Sequence, residues 1–467
     1  MTEKKYYDVI VIGAGPGGYV AAIKASQTGK KVALVEKADL GGTCLNVGCI
    51  PTKTLISNAH ALHLIQHAAD FGIHVGEVSI DYAKMKDRKD GVVSKIRKSL
   101  EGLIQSNGIE ILRGMASFVA PFELKIKGTD NVIIHGEKII IASGSEPIDV
   151  AAFPCDHKKV FNSTSILGLT TLPKTLAVIG GGYIGCEFAS LYAELGVKVI
   201  VLEALPALVA TQGKGVSDAL TAAFKKKGID VQTGVMVEGI DGQGNGVSIR
   251  LKDKAPVAAD AVLVAIGRKV VSKDLGLEMA GVMTTDRGAI IVNDKMETNV
   301  PGIYAIGDVT GLVMLAHVAS HQGIVAAVNA TVGEASMHYE AVPAVIFTLP
   351  EIATVGLTLE QAIEKGYSAT AGKFPFQALG KSVASMETEG FAQIIVDQKT
   401  GQILGAQVVG HDAASLIAEI ALAMTNELTV DCLTETIHAH PTLPEAWLEA
   451  GLLAQNTPIH FPPRVKK

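Results

Sequence analysis

Apolar residues run without a polar break from Val9 to Ile12 and again from Val32 to Val35, with a glycine cluster and an alanine-rich stretch between them. Continuous short apolar runs of this kind suit strands buried on both faces, and the alanine-rich stretch suits a helix. The segment "YDVIVIGAGPGGYVAAIKASQTGKKVALVEK" therefore predicts a strand, turn, helix, strand unit that ends on Glu36. The same pattern returns in "KTLAVIGGGYIGCEFASLYAELGVKVIVLEA", ending on Glu203. Three further apolar runs close on small residues: "KIIIASGSEP", "AVLVAIGR" and "TNVPGIYAIGD". They predict buried parallel strands whose C-terminal ends face a ligand. Beyond about residue 343 the texture changes. "AVIFTLPEIATVGL", "FAQIIVDQKTGQILGAQVVG" and "SLIAEIALAMTNEL" predict strands, a hairpin turning at Lys399, Thr400 and Gly401, and a helix, with no third glycine unit.

The glycines give the two repeated units a chemistry. Gly13, Gly15 and Gly18, and likewise Gly180, Gly182 and Gly185, keep the G-x-G-x-x-G spacing between a strand and a helix. The first glycine makes a tight turn, the second lets backbone approach a pyrophosphate, and the third lets helix pack on strand. The helix N-terminus then offers N–H groups and partial positive charge to the phosphates. Glu36 and Glu203 each stand 23 residues past the first glycine of their unit. That is the place of an acid that accepts hydrogen bonds from an adenosine ribose, and a carboxylate at Glu203 favours NAD over NADP. Asp308, closing its own strand, suits hydrogen bonds from a polyol chain, or simply a turn after glycine. The fold class expected is α/β, with two Rossmann-like dinucleotide-binding domains and a C-terminal α+β domain.

Composition narrows the function classes. A chain of 467 residues exceeds one ordinary core, so two to four domains are expected. With 41 basic and 47 acidic residues the formal charge is −6, and no long run of one sign occurs. Nucleic acid and anionic membranes are not the expected partners. No apolar stretch reaches the roughly 18 residues of a membrane span. The start, "MTEKKYYDVIVIGAG", passes almost directly into a strand, so a soluble cytoplasmic protein is expected. Five cysteines (Cys44, Cys49, Cys155, Cys186, Cys432) in so long a chain are no secreted disulfide framework. Cys186, inside the second glycine unit's helix, reads as a small packing residue.

Cys44 and Cys49 stand together in "GGTCLNVGCIPTK". Such a pair suits a metal clip, a structural staple or a redox centre. Zinc would need further paired thiolates or imidazoles. The other cysteines are scattered singly; His438 and His440 could in principle supply two ligands, so a metal reading stays open at this point.

Taken in order, "GAGPGG", "GGTCLNVGCIPTK", "GGGYIG", "AIGR", "GIYAIGD", "MLAHVASHQG" and "HAHPTLPE" resemble the pyridine nucleotide–disulfide oxidoreductases along nearly the whole chain. The resemblance is to the branch that oxidises protein-bound dihydrolipoamide to lipoamide and reduces NAD. It implies residues 1–146 as the first part of an FAD-binding domain, 147–275 as the NAD-binding domain, 276–342 as a central segment completing the FAD site, and 343–467 as a dimerisation domain. A homodimer is implied, with each subunit's His440 and Glu445 completing the other's disulfide site. The partner that carries the lipoyl group would be an acyltransferase of a 2-oxo acid dehydrogenase complex or the glycine-cleavage carrier protein.

The same resemblance distributes the site residues. Cys44 exchanges with the dithiol and Cys49 faces the flavin. FAD would be held by Gly13, Gly15, Gly18, Glu36, Gly42, Thr43, Lys53, Ala116, Ser143, Gly144, Asp308, Met314, Leu315, Ala316 and His317. NAD would be held by Gly180, Gly182, Tyr183, Ile184, Gly185, Glu187, Glu203, Val235, Ala265, Gly267 and Arg268. No resident metal is expected. Lys53 matches the family's lysine near the flavin, and Glu187 the acid paired with it. His440 would be the base, with Glu445 fixing its tautomer, while His438 keeps a surface role. Relatives that reduce mercuric ion carry a further cysteine pair near the C-terminus, and "AQNTPIHFPPRVKK" has none. Relatives acting on glutathione-like disulfides prefer NADP and place basic residues near the second acid, and "VLEALPALVA" has none.

If Cys44 and Cys49 are bridged, the helix carrying them must be broken. A disulfide needs Cα atoms about 4.4 to 6.8 Å apart. Five residues of regular helix advance about 7.5 Å along the axis alone. Gly48 permits an unusual backbone angle and Pro51 removes a helical donor. The expectation is a distorted first turn, then regular helix through Lys53 and "LISNAHALHLIQHAA".

Overall fold

The computed structural model describes residues 5–243 and 246–462. The polar tail Arg464 to Lys467 and the first four residues lie outside the described residues. Both glycine units form as the apolar pattern requires. In the first, strand Lys5–Ile12 leads into helix Pro16–Ser26 and strand Val32–Glu36. In the second, strand Thr175–Ile179 leads into helix Tyr183–Glu194 and strand Lys198–Glu203.

Around the first unit a parallel sheet runs in the order Ile303–Ala305, Val132–Ile141, Lys5–Ile12, Val32–Glu36, Glu110–Ala120. Strand Glu123–Gly128 pairs antiparallel with both Glu110–Ala120 and Val132–Ile141. Every residue of Val32–Glu36 is buried, as an uninterrupted apolar run in a doubly covered sheet should be. The helix Ala316–Thr331 returns to cover this unit, and glycines allow the approach. A Cβ on Gly323 would lie 2.5 Å from Gly17 O, and one on Gly17 would lie 2.8 Å from Ala319 O.

The second unit has its own five-stranded parallel sheet, ordered Asp230–Thr233, Lys198–Glu203, Thr175–Ile179, Ala261–Val264, Val160–Asn162. A three-stranded antiparallel sheet from Val237 to Ala259 flanks it. Chain enters and leaves this region by two adjacent strands. Ser145–Pro147 pairs antiparallel with Arg268–Val270, with Pro147 opposite Arg268.

The C-terminal region is the expected α+β arrangement. Its antiparallel sheet runs Pro343–Ile346, Ile352–Gly356, Ile403–Val409, Phe391–Asp397, Ala369–Pro375. The hairpin between Phe391–Asp397 and Ile403–Val409 turns where Lys399, Thr400 and Gly401 were expected to turn it. Helices Ala413–Thr425 and Glu445–Ala454 pack on the sheet around Trp447, which is fully buried and donates its indole N–H to Leu416 O at 3.0 Å.

Candidate functional site

Each first glycine lies in the left-handed region, φ +98° at Gly13 and +107° at Gly180. A Cβ there would stand 2.4 Å from Ala142 O in the first unit and 2.4 Å from Ala265 O in the second. Gly18 and Gly185 serve packing as expected, since a Cβ would fall 1.8 Å from Gly13 O and 1.9 Å from Gly180 O. These two therefore stand behind the cavity wall. Neither helix has a side chain capping its N-terminus, so the first-turn N–H groups of both remain open to an anion.

The two acids are buried and already partly engaged. Glu36 accepts from Ala14 N at 2.7 Å and Ala38 N at 2.8 Å. Glu203 accepts from Gly181 N at 2.5 Å and Leu205 N at 2.6 Å. Each carboxylate thus locks its own glycine turn and has lone pairs left for ribose hydroxyls.

The cysteines occupy two helices, not one distorted helix. Cys44 lies in Gly42–Val47, Cys49 opens Cys49–Gln66, and Gly48 between them has φ −142° and ψ −111°. The disulfide is formed, with Cα atoms 4.6 Å apart. Glycine is needed at 48 because a Cβ would come 2.9 Å from Thr43 O. The break is therefore complete, where the sequence led us to expect a distorted turn. The second helix also stops at Gln66, and Ala68–Phe71 forms a 3-10 turn.

One cavity of about 1770 Å³ joins these parts. Single-ligand pockets are usually about 300–1,000 Å³, so the space suits two dinucleotides sharing a passage. Its wall includes the cysteine pair, Cys44 and Cys49, together with Gly13, Gly15, Glu36, Gly42, Thr43, Lys53, Ala116, Ser143, Gly144, Asp308, Met314, Leu315 and Ala316 from the expected flavin set. It also includes Gly180, Gly182, Tyr183, Ile184, Glu187, Glu203, Val235, Ala265, Gly267 and Arg268 from the expected NAD set. The glycine cradles, uncapped helices and buried acids fit both groups.

His317 departs from this set. It is exposed outside the wall, with its ring Nε2 2.8 Å from Pro343 O. Arg268 lines the cavity, but its guanidinium turns on the flavin unit. It donates to Ser145 Oγ at 2.7 Å and Ser145 O at 2.8 Å, and lies 3.9 Å from Asp308. Burial pushes the Arg268 guanidinium below its ordinary pKa, opposed by Asp308. The Ser145 hydroxyl donates to Asp308, a link that sequence reading missed beside its neighbour Ser143. Ser143 instead donates to Val271 O at 2.5 Å.

Lys53 and Glu187, assigned to different units, form one ion pair with Nζ 2.8 and 2.7 Å from the two carboxylate oxygens. Phe347 completes the group. Its N–H donates to Glu187 at 3.0 Å, and its ring centroid lies 4.5 Å from Lys53 Nζ. No spacing signal announces Phe347, 160 residues from Glu187.

His440 and Glu445 are paired at 2.8 Å through Nδ1, but stand outside the wall that holds Cys44. The His440 side chain is 77% exposed. Glu445 also accepts from Thr442 N at 2.8 Å. Burial alone would raise its pKa; the Thr442 N–H and the His440 ring outweigh it and hold the carboxyl below its ordinary value. The surface role for His438 is corrected: its side chain is 5% exposed and its Nε2 lies 2.9 Å from Glu419. Cys186 is fully buried as expected, and burial raises its thiol pKa. Among the described residues no cluster of histidine, cysteine and carboxylate could hold a metal ion.

The pyridine nucleotide-disulphide oxidoreductase family model matches residues 7–323, and the dimerisation domain of that family matches residues 342–451. The chain belongs to this family. Within the family it is 51% identical to a dihydrolipoyl dehydrogenase of Chlamydia pneumoniae over 99% of this chain and 100% of that one. It is 42% identical to a dihydrolipoyl dehydrogenase of Bacillus subtilis over 97% of each chain. Among solved structures, LpdA from Mycobacterium tuberculosis aligns with a TM-score of 0.90 at 26% identity, covering 96% of this chain and 99% of that one. The HOCl-induced flavoprotein disulfide reductase RclA from Escherichia coli, as its Cu(II) complex, aligns with a TM-score of 0.87 at 31% identity, covering 97% and 100%. Like other members of this oxidoreductase family, the chain carries a dimerisation domain, which supports a homodimer. No helix among the described residues is long and apolar enough to cross a membrane.

Proposed function

We propose that the chain is a dihydrolipoyl dehydrogenase, oxidising a protein-borne dihydrolipoyl dithiol with NAD as final acceptor. The observation that carries this is the Cys44–Cys49 disulfide in the wall of a cavity shared by two dinucleotide cradles. FAD would rest on the first glycine turn and NAD on the second. When bound, FAD takes an electron pair from the reduced cysteines and delivers it as hydride to NAD.

The chain's own residues handle thiols and protons. Glu445 holds Nδ1 of His440 and leaves Nε2 to accept a proton from one substrate thiol. The resulting thiolate attacks Cys44 Sγ, breaking the Cys44–Cys49 bond and leaving Cys49 as thiolate. The second substrate thiol attacks the substrate sulfur of the mixed disulfide, and its proton passes to the leaving Cys44 sulfur while His440 keeps the first. Cys44 is released as thiol, and the lipoyl disulfide departs. His440 stands apart from its own chain's disulfide wall, which supports a dimer in which each subunit supplies this base to the other. The lipoyl-bearing partner is an acyltransferase or a glycine-cleavage carrier.

Turnover of dihydrolipoamide with NAD, set against glutathione disulfide with NADPH, tests the reading. Preference for the second pair overturns it. Titrating flavin-loaded protein with dithiol should raise a long-wavelength thiolate–flavin band, and its absence would contradict the disulfide step.

A further inference from the structure

A line of hydrogen bonds that the reaction above does not use connects the second glycine turn to the C-terminal sheet. Thr354, in strand Ile352–Gly356, donates its hydroxyl to Gln212 Oε1 at 2.5 Å. The same amide donates from Nε2 to the hydroxyl of Tyr183. The Gln212 carbonyl in turn accepts from Gln407 Nε2 at 2.7 Å, and both glutamines are buried. Tyr183 is the first residue of its helix, directly after Gly182, and stands in the cavity wall.

The backbone around Gln212 is held with unusual firmness. Gln212 ends a three-residue turn between Val209, at φ +41°, and Gly213, at φ +88°. A β-branched residue in the left-handed region is a genuine outlier and persists only where its surroundings fix it. Here Val209 N donates to Gly181 O at 2.8 Å, inside the second glycine turn. The loop after Glu203 is thus clipped to the turn at Val209 and to the C-terminal sheet at Gln212. A buried amide satisfied at both ends has one orientation, and that orientation decides where the tyrosine ring lies.

We propose that Gln212 is a positioning residue for the second dinucleotide site: it fixes Tyr183 in the cavity wall and takes its own orientation from Thr354 of the C-terminal domain. This deepens the assignment of NAD to the second unit and rests on it. A side chain ordered before the ligand arrives loses no rotamer freedom on binding. Freeing the ring therefore weakens dinucleotide binding and leaves the chemistry at Cys44 and Cys49 unchanged.

The test is equilibrium titration of the flavin-loaded holoenzyme with NADH, alongside flavin reduction by dihydrolipoamide without nucleotide. Gln212→Ala is expected to raise the Kd for NADH about fivefold, the scale of one lost hydrogen bond. Thr354→Val, nearly isosteric, should raise it roughly threefold, and Thr354→Ser should restore it. In a Tyr183→Phe background Gln212→Ala should add almost nothing, and the rate of flavin reduction by dithiol should stay at the wild-type value in the Thr354 variants. An unchanged or lower Kd in Thr354→Val overturns the inference, even if Gln212→Ala fails to fold. An undiminished Gln212→Ala effect without the tyrosine hydroxyl overturns it too. Wild-type holoenzyme that does not bind NADH at all overturns the NAD assignment, and this inference with it, before any variant is compared.

Discussion

The two glycine turns agree almost atom for atom at their first and third glycines, and differ at the second. Gly15 faces the cysteine helix: its own Cβ would meet only Gly42 Cα, at 3.9 Å, whereas a Cβ on Gly42, at φ +58°, would stand 2.6 Å from Gly15 Cα. Gly182 has open space where a Cβ would go. The same local rule thus produces an overlaid cradle in one unit and an uncovered one in the other. The difference lies in what packs against the turn, and it matches a cofactor that stays and one that exchanges.

The most severe way to break the comparison is Gly13→Ala against Gly180→Ala. Both create the 2.4 Å clash with a carbonyl at positive φ. Gly13→Ala should lose flavin and several kcal/mol of stability, because strain and clash add in a buried sheet. Gly180→Ala should keep its flavin, read by absorbance, and lose NADH binding by more than about tenfold.

Next come Gly42, which packs over the second glycine of the first unit, and Gly182, the second glycine of the other. Gly42→Ala should weaken flavin retention on dialysis by roughly tenfold and lower thermal stability. Gly182→Ala should leave stability within about 0.5 kcal/mol of wild type, since nothing crowds the site. Its NADH affinity should nonetheless fall about tenfold, because a methyl group would stand where a pyrophosphate must approach.

A smaller effect is expected at the acids. Glu203→Gln keeps one acceptor oxygen for two backbone N–H groups, and should weaken NADH binding about fivefold, roughly 1 kcal/mol. Glu36→Gln should show its loss in flavin retention instead, and equal effects of both variants on both ligands would erase the distinction between the units.

The mildest expectation concerns pH. The Glu445 carboxyl has a lowered folded pKa, so its contribution is fully present above its ordinary value near 4.5. It fades only as pH falls through the lower folded value. The stability difference between wild type and Glu445→Gln, measured by denaturant unfolding, should therefore be constant above about pH 5 and shrink below pH 4.

Much of this contrast was legible because it is local. Glycine spacing, apolar runs and a closing acid are written within thirty residues, and the structure places Gly13, Gly180, Glu36 and Glu203 where that pattern put them. The kink between the cysteines was legible in kind, since a bridge cannot close in regular helix. Its extent was not, because the completeness of the break depends on how Gly48 meets Thr43 O. Apart from the Lys53–Glu187 pair, which the family resemblance supplied, contacts across long sequence separations left no trace. Phe347 on Glu187, Thr354 on Gln212 and Arg268 on Ser145 are set by how regions dock. His438 read as a surface histidine because one residue in a turn carries no periodicity, and only packing against Glu419 reveals its burial.

The pairing of Ser145–Pro147 with Arg268–Val270 makes the intervening stretch a cassette. Its two ends are neighbours across one strand spacing, about 4.8 Å, in a two-stranded sheet of their own. A nucleotide-binding module spliced between Pro147 and Arg268 needs equally close termini and its own counterparts of Glu187, which holds Lys53 on the cysteine helix, and of Gln212, which meets Thr354. Grafting an NADP-selective module at these two positions would be a direct engineering route to altered coenzyme preference, and the shared strand pair is the joint that makes it feasible.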